Sequence, residues 1–300
     1  MMAAHSARPM TLDLPSLLRL LRPKQWIKNG FVCAGVLFGD RWHDPATVRD
    51  MLLAVVCFSL LGSCVYVLND FLDREADRAH PTKRLRPLAS GSVTPLQGFV
   101  AAAVCALAAA AAGWLADPRV LLTALAYVAI NVAYSLRLKR QAVVDVFCIA
   151  SGFMLRILAG TWGLHVPPSG WLILTAMFLT LFLGFAKRRA EWTETGGRTE
   201  RRRVLAQYSE PLLDSFLSIT ATGAVLSYGL YTLDPQVIAL HRTDKLIYTL
   251  PFVLFGLCRY LLLLHARNKG ENPSVDVFTD RQILLSGLAY AGVTVWLLNR

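Results

Sequence analysis

The chain contains 300 residues, 55% of them hydrophobic, and carries a formal net charge of +11. This hydrophobic content argues against a soluble protein built on one core, and its combination with positive charge is typical of a protein that crosses a membrane several times. Because the cations lie between apolar runs, we expect a lipid bilayer, and not nucleic acid, as the partner of the basic regions.

The first predicted element is a short N-terminal arm, residues 1–24. Its sequence TLDLPSLLRLLRPKQW places Arg19 and Arg22 among leucines. This pattern fits a helix lying along the cytoplasmic headgroups, and equally a frayed start of the first membrane helix. We therefore place the arm in the cytoplasm or at its membrane interface.

Nine apolar runs follow, each near the length of about 20 residues that a membrane span needs. The first of them, QWIKNGFVCAGVLFGD, is short and contains Lys28. The predicted spans are 26–40, 49–69, 96–116, 118–136, 142–163, 170–186, 211–233, 245–265 and 282–299. No soluble domain and no repeat of fixed period accompany them, so we predict one all-α membrane domain over residues 1–300.

The distribution of Lys and Arg predicts the orientation of these spans. The N-terminal arm and the loops after the second, fourth, sixth and eighth spans carry most of the cations, whereas the opposite loops carry few. Cytoplasmic loops are enriched in Lys and Arg. We therefore predict a cytoplasmic N-terminus and a basic cytoplasmic loop over residues 187–210.

A cluster of carboxylates ends the second span. Asn69, Asp73 and Asp77 follow one another at intervals of four residues, so they share one face if the helix continues, and Asp70 flanks that face. Like charges this close repel one another unless a cation lies among them. Carboxylate oxygens suit Mg²⁺, whose coordination is usually completed by substrate phosphates. The spacing predicts a metal-held phosphate ester at the cytoplasmic membrane edge; a solvated helix end is the alternative.

Cations follow these acids within a few residues, beginning at Lys83 and Arg84. Phosphate oxygens that a metal leaves free need Lys or Arg donors, which fits a phosphate site. The bias of cations toward cytoplasmic loops explains the same residues without any ligand. Both interpretations stay open for the cations.

Arg156 is a charge inside the fifth predicted span, in SGFMLRILAG. A charge at that depth is costly unless it faces a cavity or a partner. We favour a functional role, with a structural ion pair or a carbonyl contact as the alternative. Asp145, eleven residues earlier on the same predicted helix, lies nearer the cytoplasm and is a candidate contact for a ribose or a cation.

Three sequence elements resemble one family. The stretch NDFLDREAD, from Asn69 to Asp77, resembles the NDxxDxxxD signature of the UbiA superfamily of intramembrane prenyltransferases and falls at the end of the second span, as in that family. KRLRPLASG resembles the continuation of that motif, and YS followed by LKR, from Tyr134 to Arg140, resembles a third element. The resemblance implies nine transmembrane helices around a cavity open to the cytoplasm and laterally to lipid, in a bacterial inner membrane.

The chain departs from this family after the sixth span. A second aspartate motif, DxxxD, is expected there, but residues 184–191 read GFAKRRAE, so we expect one metal centre and not two. This element, with RPKQWIKN, HPTKR and GENPSVDVFTDR, resembles the branch of polyprenyl-phosphate phosphoribosyltransferases of the decaprenyl-phosphate type. That resemblance implies phosphoribosyl diphosphate (PRPP) as donor, polyprenyl phosphate as acceptor and a product for cell-envelope glycan precursor synthesis.

The resemblance also implies roles for individual residues. Asp70, Asp73 and Asp77 are predicted to hold Mg²⁺ and to be catalytic. The acceptor phosphate is already ionised, so no Ser/His/Asp triad is needed, and none is visible. Substrate contacts are predicted for Asn69, Lys24, Lys28, Lys83, Arg84, Tyr134, Lys139, Asp145, Arg156, Lys187, Arg188 and Glu191.

Two rival functions stay open. A conventional prenyltransferase, which passes an isoprenoid from its diphosphate to an aromatic or quinone-precursor ring, shares the fold and the first motif. A transporter or channel is disfavoured because the charged motifs gather at one membrane edge and no inverted repeat is visible. The oligomeric state is also left open.

Overall fold

The computed structural model describes residues 13–194, 204–266 and 280–298, and within these ranges the chain is helical with no strand. The α-helices are α1 (Leu14–Leu21), α2 (Cys33–Phe38), α3 (Pro45–Leu72), α4 (Arg74–Arg78), α5 (Pro87–Ser90), α6 (Pro95–Ala116), α7 (Pro118–Leu136), α8 (Val144–Gly160), α9 (Gly170–Glu194), α10 (Glu210–Leu233), α11 (Pro235–His241), α12 (Leu250–Ala266) and α13 (Arg281–Leu298). Short 3-10 helices lie at Pro23–Val32, Lys83–Leu85, Leu138–Arg140, Trp162–Leu164, Leu205–Gln207 and Lys245–Thr249. The predicted all-α fold is confirmed.

The starts of several long helices are set by a capping residue followed by proline. Asp44, Thr94 and Asp117 accept hydrogen bonds from the first turns of α3, α6 and α7, and a proline follows each of them. Proline is favoured at the first helical position because the N–H that it lacks would have no partner there. These local signals explain why the predicted second, third and fourth spans agree closely with the helices.

Eight of the described helical segments are long and apolar enough to cross a membrane. They are Pro45–Leu72, Pro95–Ala116, Pro118–Leu136, Val144–Leu164, Gly170–Glu194, Glu210–Leu233, Lys245–His265 and Arg281–Leu298. Their outward side chains include large apolar residues such as Leu107 and Leu288, which are more than half exposed. Apolar surface of this extent marks contact with lipid or with a partner. The chain is therefore a multi-pass integral membrane protein.

Two predicted segments differ from the structure. The predicted first span, 26–40, is not one long helix, because the 3-10 helix Pro23–Val32 passes into the six-residue α2. The count of nine spans is therefore not confirmed. The predicted basic loop, 187–210, begins as the last two turns of α9, and its residues 195–203 lie outside the described ranges.

The long helices pack in sequence. Helix α3 contacts α6 and α7, α7 contacts α8, α8 contacts α9, α9 contacts α10 and α12 contacts α13, while the first 3-10 helix lies between α3 and α8. Gly160 permits that last contact, because a Cβ on it would lie 1.7 Å from the carbonyl oxygen of Val32. Only glycine lets two backbones approach so closely. The N-terminal segment is thereby held against the middle of the bundle.

The polar connections gather at one end of the bundle, which we call the aspartate end. It comprises residues 69–94, 137–143, 187–194 and 204–210, which join or terminate the long helices there. The ion pair between Asp73 and Lys139 connects the ends of α3 and α7, and the hydrogen bond from the Val143 N–H to the Tyr208 hydroxyl connects the start of α8 to the segment before α10.

Candidate active site

The acidic motif at the aspartate end is not one continuous helix. Helix α3 stops at Leu72, Asp73 lies at the break with φ −93° and ψ 3°, and the short helix α4 begins at Arg74. The single face predicted for Asn69, Asp73 and Asp77 is therefore not found as such. Instead the break directs these side chains toward different partners.

Arg86 bridges two of the three aspartates. Its Nη1 lies 3.2 Å from Asp70 Oδ1 and 2.7 Å from Asp77 Oδ2, and both of these carboxylates are buried. Arg22, at the turn between α1 and the first 3-10 helix, contributes a second guanidinium 2.6 Å from Asp70 Oδ1. Buried carboxylates need such compensation, because an unpaired charge inside a protein is costly.

The third aspartate is paired differently. Asp73 Oδ1 lies 2.9 Å from Lys139 Nζ, and 43% of the Asp73 side chain is exposed. Asn69 accepts a hydrogen bond through Oδ1 from the Ser135 hydroxyl in the last turn of α7. Ser135 of the YS pair and Lys139 of the LKR element therefore contact the acidic motif at the end of α3. Sequence similarity alone did not establish these contacts.

The chemistry of this cluster fits a hard divalent cation. Its ligands would be carboxylate oxygens, and Asp70 Oδ2 is buried without a hydrogen-bond partner in the described part of the chain. Among the residues that the structure describes, no three Asp, Glu, His or Cys side chains lie close enough together to hold a metal ion in this state. Arg22, Arg86 and Lys139 pair with the acids in this state.

The predicted contacts on α8 and α9 form a separate buried network. Arg188 is 1% exposed, and its Nε lies 2.7 Å from Asp145 Oδ2 as an ion pair without hydrogen-bond alignment. Its Nη1 also pairs with Glu191. The Tyr208 hydroxyl donates to Asp145 Oδ1 over 3.0 Å, and burial, with Asp145 nearby, raises the pKa of Tyr208. The three predicted residues contact one another, so they are committed to internal pairing.

The adjacent Arg189 points to another helix. It pairs with Asp214 through Nε at 2.9 Å and with Glu210, both on α10. The two arginines of the KRRAE element thus tie α9 to neighbours on both sides. The sequence showed the basic run but not this division, because Asp214 lies 25 positions away in the chain.

Arg156 lies in the interior of the bundle and contacts only neutral groups among the described residues. Nε donates to Asn29 Oδ1 over 2.6 Å, Nη1 donates to the Gly152 carbonyl over 2.7 Å and Nη2 donates to the Tyr127 hydroxyl over 3.2 Å. The guanidinium also lies over the Tyr127 ring, 4.6 Å from its centroid. Of the two structural contacts considered for Arg156, the structure shows the carbonyl contact and, in the described ranges, no ion pair. The functional role stays a prediction.

The remaining predicted residues differ in their exposure to solvent. Tyr134 is within electrostatic range of Arg188. The half-buried residues are Lys28, Lys83, Tyr134 and Lys187, and the exposed ones are Lys24 and Arg84. Residues that the predictions missed as contacts are Arg22, Arg86, Asn29, Tyr127 and Tyr208. Two of these could have been found from the sequence, because Arg86 lies in KRLRPL and Arg22 opens RPKQWIKN, two stretches that carry the family resemblance.

Comparison with known proteins identifies the family. The model of the UbiA prenyltransferase family matches residues 30–279. The chain belongs to this family. The resemblance of the acidic motif to the UbiA signature is thereby confirmed.

Curated relatives confirm the narrower resemblance, to decaprenyl-phosphate phosphoribosyltransferases. This UbiA family member is 32% identical to "Decaprenyl-phosphate phosphoribosyltransferase" of Mycolicibacterium smegmatis, over 97% of this chain and 94% of the relative. It is 33% identical to the protein of the same name in Mycobacterium tuberculosis, over 91% of each chain.

A solved structure supports the fold of this UbiA family member. A UbiA homologue from Archaeoglobus fulgidus, described as bound to GPP and Mg²⁺, superposes with a TM-score of 0.70 over 95% of this chain and 97% of its own. At 19% identity this likeness concerns the fold.

Proposed function

We propose that the protein transfers a 5-phosphoribosyl group from PRPP to a polyprenyl phosphate of the decaprenyl type, forming phosphoribosyl-polyprenyl phosphate and diphosphate. The coarser activity, a UbiA-family transferase acting on polyprenyl phosphate, is supported by relatives at 32% and 33% identity over most of the chain. The observation that carries the finer proposal is the likeness to relatives named decaprenyl-phosphate phosphoribosyltransferase. The KRRAE element fits this likeness, because Arg188 and Arg189 lie on α9 where a second aspartate motif is expected.

The reaction needs little acid–base chemistry from the protein. An ionised phosphate oxygen of the lipid attacks C1 of the ribose, and the bond between C1 and the diphosphate oxygen breaks with its electron pair leaving on the diphosphate. No proton is transferred, so no general base is required. The protein has to bring two anions together and to stabilise the charge that develops on the leaving diphosphate.

The aspartate end offers residues for both tasks. A divalent cation held by Asp70, Asp73 and Asp77 would supply electrostatic stabilisation of the diphosphate. Arg86, Arg22 and Lys139 now neutralise those acids, and in the loaded enzyme we place their N–H donors on the phosphate oxygens. Guanidinium and ammonium groups bind phosphate oxygens through short charge-assisted hydrogen bonds.

The aspartate end also carries most of the basic loops, so we propose that it faces the cytoplasm of a bacterial inner-membrane protein. PRPP is a soluble anion, and a cytoplasmic opening gives it access. The product would then serve cell-envelope glycan synthesis.

The test supplies the purified protein, with Mg²⁺, either labelled PRPP and polyprenyl phosphate or a labelled prenyl diphosphate and aromatic acids. Ribose label in the lipid phase is expected. Label on the aromatic acid would establish a conventional prenyltransferase instead, and no transfer in either assay would reject both enzymes and revive transport.

Asp73→Asn is the first variant to compare. We expect turnover to fall by at least about 100-fold, while stability changes by less than about 1 kcal/mol because its one ion pair, with Lys139, is partly exposed. The matched control is Asp50→Asn, near the opposite end of the same helix, where the carboxylate pairs with Arg49. Full activity of Asp73→Asn would remove this residue from the catalytic set.

A further inference from the structure

Arg156 is a buried cation without a buried anion. It is 7% exposed, and its three hydrogen bonds go to an amide, a carbonyl and a phenol. In residues 13–194, 204–266 and 280–298, the two other buried arginines, Arg188 and Arg189, each pair with carboxylates. An uncompensated charge in a membrane bundle is costly and marks a site where a charged group of another molecule is bound.

Two N–H groups of the Arg156 guanidinium form no hydrogen bond in the described chain. A guanidinium has five N–H groups, and Arg156 uses one on each of its three nitrogens. One N–H on each terminal nitrogen therefore lacks a partner in the described chain. Two neighbouring donors of this kind match the oxygens of a phosphate or a carboxylate.

Lys28 is within electrostatic range of this guanidinium. It precedes Asn29, which accepts from Arg156 Nε, and its side chain forms no hydrogen bond or ion pair within the described residues. Burial lowers the pKa of Lys28 to about 8, with further contributions from Lys187, Arg156 and Arg22. Cations of the N-terminal segment, α8 and α9 are thus within electrostatic range of Lys28.

This region is deeper in the bundle than the acidic motif. Tyr127, which contacts Arg156, lies nine residues before the end of α7, or about 13 Å at 1.5 Å per residue. Asp70 lies two residues before the end of α3, or about 3 Å. The backbone positions of the two regions are therefore offset by about 10 Å along the bundle.

We propose that Arg156 and Lys28 form a second anion site, which binds a phosphate monoester group of a substrate. The inference rests on the proposed function, whose two substrates each carry one such group: the 5-phosphate of PRPP and the phosphate of the lipid. Binding at this site selects substrates that carry the phosphate over analogues that lack it. The aspartate end then takes the diphosphate, and each charged end of the reactants has its own site.

The test compares ligands that differ only by the phosphate. Binding to the purified protein in nanodiscs is measured for PRPP against ribosyl 1-diphosphate without the 5-phosphate, and for polyprenyl phosphate against polyprenol. The wild-type protein is expected to prefer the phosphorylated member of each pair. In Arg156→Gln and Lys28→Gln, we expect that preference to fall by roughly tenfold or more in one of the pairs.

The controls separate binding from folding. Lys28→Gln removes no hydrogen bond in the described structure, so it is expected to fold normally even if Arg156→Gln does not. Arg119→Gln removes an exposed arginine that contacts His165 at the opposite end of the bundle, and its preferences should equal those of wild type. Thermal unfolding of each variant reports on the fold.

Each outcome bears on the proposal. A loss confined to the PRPP pair assigns the site to the 5-phosphate, and a loss confined to the lipid pair assigns it to the acceptor. Variants that keep the full preference in both pairs overturn the site. So does an equal weakening of phosphorylated and unphosphorylated ligands, which indicates a structural role. A wild-type protein that binds neither phosphorylated ligand rejects the proposed function itself, and with it this site.

Discussion

Arg156 and Arg188 lie on two helices that pack against each other, α8 and α9, and both are buried. Their surroundings are opposite. Arg188 pairs with Asp145 at 2.7 Å and with Glu191, whereas Arg156 donates to neutral oxygens and lies over aromatic rings. The comparison teaches that the compensating charge, more than the depth, indicates the role of a buried arginine. On this view the fully buried, compensated Arg188 is part of the fold, whereas the uncompensated Arg156 is available to a ligand.

The same comparison explains the departure of this chain from its family. Where a second aspartate motif was expected, α9 carries Arg188, and its guanidinium neutralises the acids Asp145 and Glu191. These acids hold an internal cation, and the single metal centre stays a prediction. That prediction can be checked by the metal stoichiometry of the purified protein.

The largest effect is expected for Arg188→Met. Removing the guanidinium takes the ion-pair partner from the fully buried Asp145 and one partner from the half-buried Glu191. Breaking a buried pair in this way costs about 3–5 kcal/mol. The measurement is the free energy of unfolding in one detergent. The control combines Arg188→Met with Asp145→Asn and Glu191→Gln, which removes the stranded charges and is expected to recover part of the loss. Wild-type stability of Arg188→Met alone would contradict the structural role.

Most of the fold could be predicted because its signals are local. Apolar length and the proline after Asp44, Thr94 or Asp117 are visible in the sequence, and they place α3, α6 and α7. The segment 26–40 was predicted as a span because its composition is apolar. Its actual path depends on the contact of Val32 with Gly160, more than 120 positions apart, and no local pattern reports such a contact.

The sequence was sufficient to predict which acidic residues form the candidate site, but not which cations pair with them. The acids of the NDxxDxxxD stretch were identified, yet their partners Arg86, Arg22 and Lys139 depend on turns and on the neighbouring helix. A helical period cannot show that the helix breaks at Asp73, where a different set of contacts takes over. The predicted roles in substrate binding stay predictions.

Lys28 gives the next largest effect, as a dependence of binding on pH. In the free protein its pKa is lowered from 10.5 to about 8, and a phosphate bound beside the ammonium is expected to raise it again. Binding then takes up a proton between these two values, so affinity should fall by up to about tenfold per pH unit above pH 8. The free energy of unfolding should change in the opposite direction. Between pH 8 and 10.5 the unfolded chain binds a proton at Lys28 that the folded protein lacks, so the stability should rise with pH. Calorimetry in buffers of different ionisation enthalpy measures the uptake.

Lys28→Arg and Lys28→Gln provide the controls for this dependence. Neither side chain titrates between pH 8 and 10.5, since arginine stays protonated and glutamine carries no charge. Both variants should therefore lose the proton uptake, while the arginine variant retains more affinity. An unchanged pH profile in Lys28→Gln would assign the titration to another group and weaken the contrast between compensated and uncompensated cations.

A smaller effect is expected for Tyr208→Phe, on the side of Arg188. The Tyr208 hydroxyl donates to Asp145 and accepts from the Val143 N–H over 2.6 Å, at a residue with φ 67°. Positive φ is strained for a β-branched side chain, so the turn depends on such contacts. Loss of the hydroxyl should cost about 1–2 kcal/mol, measured by the same unfolding experiment. Tyr248→Phe, on an exposed ring outside this network, should change nothing measurable.

The smallest effect on stability is expected for Arg156→Met, and it is the most direct test of the comparison. The substitution strands no carboxylate in the described residues, and the new thioether would lie among the rings of Phe58, Tyr127 and Phe153. The lost hydrogen bonds are offset by removal of a buried charge, so unfolding should change by less than about 1 kcal/mol. If Arg156→Met costs as much as Arg188→Met, then Arg156 stabilises the fold as Arg188 does. The absence of a carboxylate partner would then carry no information about ligand binding.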